Sequence, residues 1–199
     1  MNVPMRYFDA LYADADDPWR YRERWYEQRK RDLTLAALPS PRYGCAYEPG
    51  CSIGELSACI AARVDSLLAS DGSDAAVQHA TARLADEPNV RVEKRLLPEQ
   101  WPDETFGLIL FSELGYYFSS VALSVLIGKI RASLSAGGVL LACHWRHDIE
   151  GCSLNGDDVH AQIHAEVGLH RLSQHQEQDF IITVWSGDPS SVALREGFI

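Results

Sequence analysis

Short strand-like segments alternate with helical segments between residues 43 and 143, and this alternation is the feature that most constrains the fold. A strand followed by a crossover helix and another strand packs as a parallel sheet with helices on both faces. The segment Phe106 to Phe111 is continuously apolar, as expected for a strand buried on both faces. The sequence predicts strands at 43–48, 66–71, 89–94, 106–111 and 139–143, and helices at 54–63, 73–85 and 122–134.

The end of the chain departs from this alternation. After a predicted helix over 157–167, two strand-like segments at 169–174 and 180–185 are joined by a short polar link. A link this short permits only an antiparallel hairpin. The sequence therefore predicts an α/β fold whose mostly parallel sheet ends in a hairpin, with a C-terminal tail over 188–199.

The N-terminal segment is predicted to be mainly helical. Asp17-Pro18 has the form of a helix start, and Pro39 and Pro41 follow a predicted helix that extends to about residue 38. Trp19 and Tyr26 fall on one stripe of this helix. We expect an N-terminal aromatic helical cap over 1–41 and a main domain over 42–187.

Composition excludes several classes of protein. The chain carries 18 Lys and Arg against 28 Asp and Glu, a net charge of -10, which argues against a nucleic-acid partner. Five cysteines without a C-x-x-C pair argue against a disulfide framework. Neither a signal peptide nor a membrane-length apolar run is evident, so the expectation is a cytoplasmic protein without a membrane partner. The oligomeric state is left open.

A glycine-rich turn follows the first predicted strand. In Glu48-Pro49-Gly50-Cys51-Ser52-Ile53-Gly54, the two glycines allow close approach of a ligand to the backbone, and a helix N-terminus follows. Strand, turn and helix form a generic nucleotide-binding unit, and the alternative is a turn that binds nothing.

An acidic residue sharpens the prediction of a ligand. Asp71 ends the second strand about twenty residues after Gly50, where a carboxylate can bond the ribose of an adenosine. Glu48 and Glu55 flank the turn and would oppose a pyrophosphate, whereas the sulfonium and ammonium of S-adenosylmethionine (SAM) are favoured by carboxylates. SAM is therefore the expected cofactor, with S-adenosylhomocysteine (SAH) as its product.

Two further strand ends carry polar side chains at the same sheet edge. Glu113 could accept a proton from an acceptor, hold a cationic amine, cap the next helix or bond the cofactor. His144 is a general-base candidate or a hydrogen-bonded structural histidine. Tyr116 and Tyr117 either orient a substrate or pack with satisfied hydroxyls. His160 and His164, at i and i+4, are compatible with a metal, but no supporting ligand set is evident and no metal is expected.

The chain resembles the nodulation N-methyltransferase (NodS) family of class I SAM-dependent methyltransferases. The glycine-rich turn is common to many methyltransferases, whereas Ser112-Glu113-Leu114-Gly115-Tyr116-Tyr117 and His144-Trp145-Arg146 are more specific. Further similar segments are Asp17-Pro18-Trp19, Trp25-Tyr26-Glu27 and Gly156-Asp157-Asp158-Val159-His160.

The resemblance implies a Rossmann-like class I methyltransferase fold with a seven-stranded sheet and an N-terminal lid. It also implies methylation of an amino group on a sugar, such as a de-N-acetylated chitooligosaccharide. Arg95 departs from the family pattern, in which an acidic residue bonds the adenine, so backbone atoms near Leu96 and Leu97 would have to serve. Alternatives are an O- or N-methyltransferase for another small metabolite, and a SAM-binding protein without catalytic activity.

The expected site follows from these inferences. The expected catalytic residues are His144, Glu113 and Tyr116. The expected cofactor-binding residues are Glu48, Gly50, Cys51, Ser52, Gly54, Asp71, Gly72, Ser73, Leu96, Leu97, Ser112 and Tyr26.

Overall fold

A seven-stranded sheet forms the centre of the protein in the computed structural model, which describes residues 3–199. The strand order is β3-β2-β1-β4-β5-β7-β6, and β7 alone is antiparallel to its neighbours β5 and β6. The predicted mixed sheet with a terminal hairpin is confirmed. The strands are β1 Tyr43–Pro49, β2 Val64–Asp71, β3 Val90–Lys94, β4 Phe106–Ser112, β5 Leu134–Trp145, β6 His170–Gln176 and β7 Phe180–Ser186.

Helices cover both faces of this sheet and the sheet edge where the parallel strands end. They are α1 Met5–Asp14, α2 Trp25–Ala36, α3 Glu55–Ala61, α4 Asp74–Arg83, α5 Ser120–Ser133, α6 Gly156–Glu166 and the short α7 Val192–Arg195. No helix in residues 3–199 has the length and apolarity needed to cross a membrane.

Alternating side chains of the central strands build two separate cores. Phe111 of β4 packs in the cluster that contains residues of α5 and α6, and Leu110 packs in the cluster on the opposite face, against residues of α3 and α2. Because successive side chains of a strand point to opposite faces, one apolar run fills both cores. The packed layers fix the ends of β1, β2, β4 and β5 relative to one another.

The N-terminal segment differs from its prediction. Asp17 does not begin the long helix, because its carboxylate accepts hydrogen bonds from the backbone N–H groups of Tyr21 (2.9 Å) and Arg22 (3.1 Å) and closes a separate turn. Helix α2 begins eight positions later, at Trp25. Helix α1 was not predicted, since its first turn lacks an acidic residue and its N-cap is Pro4 without a side-chain bond. Residues 1 and 2 of the predicted cap lie outside the described residues.

Strand β5 also begins earlier than predicted. Gly137 and Gly138, which precede the strand predicted over 139–143, lie inside β5, where Gly137 has a φ of 73°. The pairing between β4 and β5 shifts register between Phe106 and Leu108 at this point. The glycine thus marks an irregularity in a continuous strand rather than its start.

Candidate functional site

The turn after β1 has the backbone conformation that its glycines suggest. Gly50 and Gly54 have φ values of 73° and 83°, and the N–H groups of Gly50 and Cys51 both donate to the carbonyl of Ser70. A Cβ atom on Gly50 would lie 3.1 Å from the Leu114 side chain, so the turn is closely packed there. Ser52 has a φ of 51° without being glycine, a conformation that proteins retain mainly at functional positions.

The Asp71 carboxylate holds this turn in place. One oxygen accepts from the Ser52 N–H and the other from the Ser73 N–H, each at 3.0 Å. Burial raises the pKa of Asp71, although the backbone donors act in the opposite direction. Each carboxylate oxygen can accept a second hydrogen bond, and Asp71 lines the main cavity.

Glu48 and Glu55, the two acidic residues around the turn, have different environments. Glu48 is buried and accepts a hydrogen bond from the Ser57 hydroxyl at 2.5 Å, and burial raises its pKa to about 7. Glu55 lies between Arg22 and Arg83, at 2.9 Å and 3.0 Å, and its charge is already paired. Of these two acidic residues, Glu48 is therefore the one whose charge state can respond to a ligand.

Glu113, which follows β4, is held by three donors. Its carboxylate accepts from Lys30 Nζ (2.6 Å), from the Tyr116 hydroxyl (2.5 Å) and from the backbone N–H of Trp145 (3.0 Å). Its φ of 53° is again in the left-handed region. Three donors from separate elements fix this side chain, so it joins α2 to the ends of β4 and β5.

Lys30 and Glu27 of α2 belong to the same cluster, although neither is among the site residues expected from the sequence. Lys30 Nζ lies 3.1 Å from Glu27 Oε2 as well as 2.6 Å from Glu113 Oε1. Burial disfavours the charged ammonium, but the neighbouring carboxylates outweigh burial and keep the pKa of Lys30 above its usual value. The i, i+3 spacing of Glu27 and Lys30 on a helix favours their ion pair, whereas the contact between Lys30 and Glu113 depends on the tertiary fold.

Tyr26 contributes a hydroxyl without a partner. Its ring packs edge-on against Trp145 and Phe180, and the Lys30 ammonium lies 5.1 Å from its centroid. The hydroxyl oxygen is buried and has no hydrogen-bond partner among the described residues. Since a buried unsatisfied polar atom is costly, this hydroxyl is a position where a bound ligand would supply the missing partner.

Helix α1 lies over the same sheet edge. The Tyr12 hydroxyl is 2.6 Å from the Ser52 hydroxyl, and the Ser73 hydroxyl donates to Asp9 at 3.1 Å. Phe8 packs edge-on against Tyr117, with ring centroids 4.9 Å apart. The N-terminal helix thus contacts residues on both sides of the glycine-rich turn.

His144 lies in the interior, outside the cavity. Its Nε2 accepts from the Gly115 N–H at 3.0 Å, so Nδ1 carries the ring proton and donates to His160 Nε2 at 3.1 Å. His160 Nδ1 then donates to the Thr183 hydroxyl at 2.8 Å. Burial lowers the pKa of His144 to about 3, with the charge of Lys30 adding to the effect. This placement argues against a general base at His144 and favours its structural alternative.

A cavity of about 510 Å³ joins the strand ends. Eight of the fifteen expected site residues line this cavity: Tyr26, Gly50, Ser52, Asp71, Gly72, Leu97, Glu113 and Tyr116. Glu48, Cys51 and Ser112 line a smaller adjoining cavity. Gly54, Ser73, Leu96 and His144 lie outside both cavities.

The histidines singled out for metal binding have other partners. His160 belongs to the series of hydrogen bonds that links His144 to Thr183, and His164 accepts from the Trp185 indole N–H at 3.3 Å. Within residues 3–199, no group of three or more His, Cys, Asp or Glu side chains is arranged to hold a metal ion.

Solved structures provide the comparison with known proteins. No protein-family model matches the chain, and no curated protein matches it. A Pseudomonas syringae protein that carries a methyltransferase assignment is 51% identical, with a TM-score of 0.74 over 82% of this chain and 99% of its own.

Two more distant structures share the fold. The N-methyltransferase NodS from Bradyrhizobium japonicum WM9, solved with SAH, is 21% identical, with a TM-score of 0.83 over 93% of this chain and 98% of its own. An O-methyltransferase family protein from Burkholderia thailandensis is 11% identical, with a TM-score of 0.75 over 94% of this chain and 63% of its own.

Proposed function

The chain belongs to the class I SAM-dependent methyltransferases, and we propose that it methylates an amino group of a saccharide, such as a de-N-acetylated chitooligosaccharide. The family follows from the 51% identical Pseudomonas syringae protein, and the seven-stranded mixed sheet agrees with it. The acceptor is the proposal. The NodS-like segments Ser112 to Tyr117 and His144 to Arg146 support it.

The residues at the strand ends fit SAM. Asp71 has free acceptor capacity for the ribose hydroxyls, and Gly72 and Leu97 offer a surface for the adenine. Gly50 and Ser52 would line the methionyl part, with the buried carboxylate of Glu48 nearby for its ammonium. The unpartnered hydroxyl of Tyr26 is the observation that most directly indicates a missing ligand. When bound, SAM supplies an electrophilic methyl group on a sulfonium.

The chain itself would then position the acceptor and exclude water. Helix α1 closes one side of the cavity through Tyr12 and Phe8, and α2 closes another side through Tyr26. Exclusion of water strengthens the attraction between carboxylates and a cationic group. Glu113, fixed by three donors, would keep the geometry of this edge constant.

The nature of the cavity wall carries the acceptor proposal. Asp71 ends β2, on one side of β1 in the sheet order, whereas Glu113, Trp145 and Asp179 lie at the ends of β4, β5 and β7 on the other side. That second half combines aromatic rings with carboxylates. Aromatic faces and carboxylates together suit an acceptor that has an apolar ring face and a basic nitrogen.

Methyl transfer from labelled SAM tests the acceptor. We expect label in glucosamine oligomers and none in the N-acetylated oligomers of the same length, which differ only at the nitrogen. Label that enters the N-acetylated oligomers equally, or enters only acceptors that are not sugars, would exclude the amino-sugar proposal.

Arg24 favours a second candidate function. It lines the cavity mouth and has no ion-pair partner among the described residues, so an acceptor with a carboxylate or phosphate group would gain a charge partner there. This acceptor would be another small metabolite, methylated on oxygen or nitrogen. SAM binding without turnover on any acceptor would favour the third alternative, a non-catalytic binding protein.

A further inference from the structure

Four carboxylates line the main cavity within the part of the chain that the structure describes: Glu27, Asp71, Glu113 and Asp179. Three of them have partners other than the Lys30 ammonium. Asp71 holds two backbone N–H groups, and Glu113 holds an ammonium, a hydroxyl and a backbone N–H. Asp179 pairs with His147 at 2.8 Å and has a side chain that is 44% exposed.

Glu27 differs from the other three. Its two oxygens contact the same group, Lys30 Nζ, at 3.3 Å and 3.1 Å. Within residues 3–199, no backbone N–H or hydroxyl donates to them. The shorter bond of Lys30 goes to Glu113, at 2.6 Å. Glu27 therefore keeps acceptor capacity while its side chain is only 10% exposed.

The charge of this cluster is not balanced. Glu27 and Glu113 share the ammonium of Lys30 as their ion-pair partner, so two carboxylates face one cation within ion-pair distance among the described residues. Arg31 forms no ion pair with Glu27 but also favours its ionised form. Burial raises the pKa of Glu27, which shows that its ionised form lacks solvation. A second cation at this position would restore the balance.

We propose that Glu27 is the catalytic carboxylate that binds the reacting nitrogen of the acceptor. This inference rests on the proposed function, since it requires an amine acceptor. Glu27 would accept a hydrogen bond from the nitrogen and orient its lone pair. Lys30 would hold both carboxylates in place without contacting the acceptor.

The proton balance follows from the reaction. The nitrogen lone pair forms a bond to the methyl carbon, and the electron pair of the broken C–S bond stays on sulfur. Before this step the acceptor, bound as an ammonium, gives one proton to Glu27, which makes the lone pair available. The product nitrogen leaves as a methylated ammonium, and Glu27 returns the single proton it took to solvent.

Sinefungin provides a test that does not depend on knowing the acceptor. In this SAM analogue a carbon bearing an amine replaces the methylated sulfur, so its ammonium occupies the region where methyl group and nitrogen meet. Calorimetry would give the dissociation constants of sinefungin and SAH for the wild type and for Glu27→Gln. We expect the preference for sinefungin over SAH to fall about tenfold in the variant, the loss of one buried charge-assisted hydrogen bond.

Glu23→Gln is the matched control, because Glu23 lies close in sequence but is exposed and pairs with Arg20. It should leave the preference unchanged. If Glu27→Gln does not fold, Glu27→Asp serves as the second variant. It retains the charge but withdraws the carboxylate by one methylene, so the preference for sinefungin over SAH should fall several-fold. An unchanged preference in either folded Glu27 variant would overturn the role of Glu27. Failure of the wild type to bind SAH at all would instead overturn the function.

Discussion

Lys30 of α2 and Glu113 after β4 form a buried ion pair, with 2.6 Å between Nζ and Oε1. The side chains are 8% and 17% exposed, and Glu27 is the second partner of the same ammonium. Removal of a buried partner leaves the remaining charges uncompensated, which is more damaging than the loss of a surface pair.

Lys30→Met should therefore lower the free energy of unfolding by about 3 kcal/mol at neutral pH. Urea denaturation measures this change. Lys94→Met is the control, because Lys94 pairs with Asp74 on the surface and its loss should cost less than about 1 kcal/mol. Equal effects of the two substitutions would show that the buried pair does not support α2.

The sequence was sufficient to predict the sheet because each central strand carries its own signal. An apolar run such as Phe106 to Phe111 fits only a strand with two covered faces, and the short link before Phe180 permits only a hairpin. The glycines and Asp71 are also local signals. Helix α1 was missed because it has no cap, and it packs on residues distant in sequence.

The acceptor side of the site depends on contacts that no local pattern contains. Glu27 and Lys30 look like ordinary charges of a solvated helix until Glu113, which follows the central strand β4, is placed beside them. His144 shows the reverse case. Its position at the end of a predicted strand made it a general-base candidate beside the structural alternative, but Gly115 admits its ring into the interior, where a Cβ on that glycine would lie 3.0 Å from Nε2.

SAH binding should depend on the charge of Glu48. Its pKa is about 7 in the free protein, and the ligand's ammonium favours the ionised form. Binding at pH 6 therefore requires deprotonation, and affinity should rise up to about tenfold between pH 6 and pH 8. Calorimetry should give a flat and weaker profile for Glu48→Gln. If SAH affinity in Glu48→Gln varies with pH as it does in the wild type, another group causes the pH dependence.

The His144–His160 pair should make folding sensitive to acid. Burial lowers the pKa of both rings, to about 3 for His144, so both stay neutral in the native state. Unfolded histidines take up protons below about pH 6.5, and the unfolded state is then favoured as the pH falls. The pair should cost roughly 4 kcal/mol of stability between pH 7 and pH 5.

Denaturation at several pH values would isolate this contribution. Glu48 acts in the opposite direction in the same range, because its raised pKa makes the folded state bind more protons. The wild type must therefore be compared with His160→Gln, which should have a flatter loss of stability towards acid. His170→Gln, at an exposed position without an ion pair among the described residues, is the control and should keep the wild-type slope. Identical slopes for all three proteins would show that the buried ring does not set the acid limit.

Asp71→Asn should weaken SAH binding by at least about tenfold, because an amide replaces a carboxylate that accepts the ribose hydroxyls. The amide nitrogen would also face the N–H of Ser52 or Ser73 and disturb the turn. Calorimetry of SAH binding measures the effect. Asp74→Asn is the neighbouring control, with an 83% exposed side chain, and should bind SAH as the wild type does. If Asp71→Asn retains the affinity of the wild type for SAH, this carboxylate does not bind the ribose.

Tyr26→Phe should separate stability from binding. The Tyr26 hydroxyl is buried without a partner, so its removal should leave the free energy of unfolding unchanged or raise it by up to about 1 kcal/mol. Tyr47→Phe is the matched control. Its hydroxyl is buried but bonded to Ser70 at 2.9 Å, and its removal should cost about 1 kcal/mol.

Binding should show the opposite order. A ligand that gives the Tyr26 hydroxyl its missing partner loses that hydrogen bond in Tyr26→Phe, so SAM affinity or the KM for the acceptor should worsen several-fold. A change in SAM affinity would show that the hydroxyl contacts SAM, and a change in KM would show that it contacts the acceptor. Tyr47→Phe should leave both constants unchanged, since Tyr47 does not line the cavity. A Tyr26→Phe protein with unaltered SAM affinity and acceptor KM would show that the hydroxyl faces neither ligand.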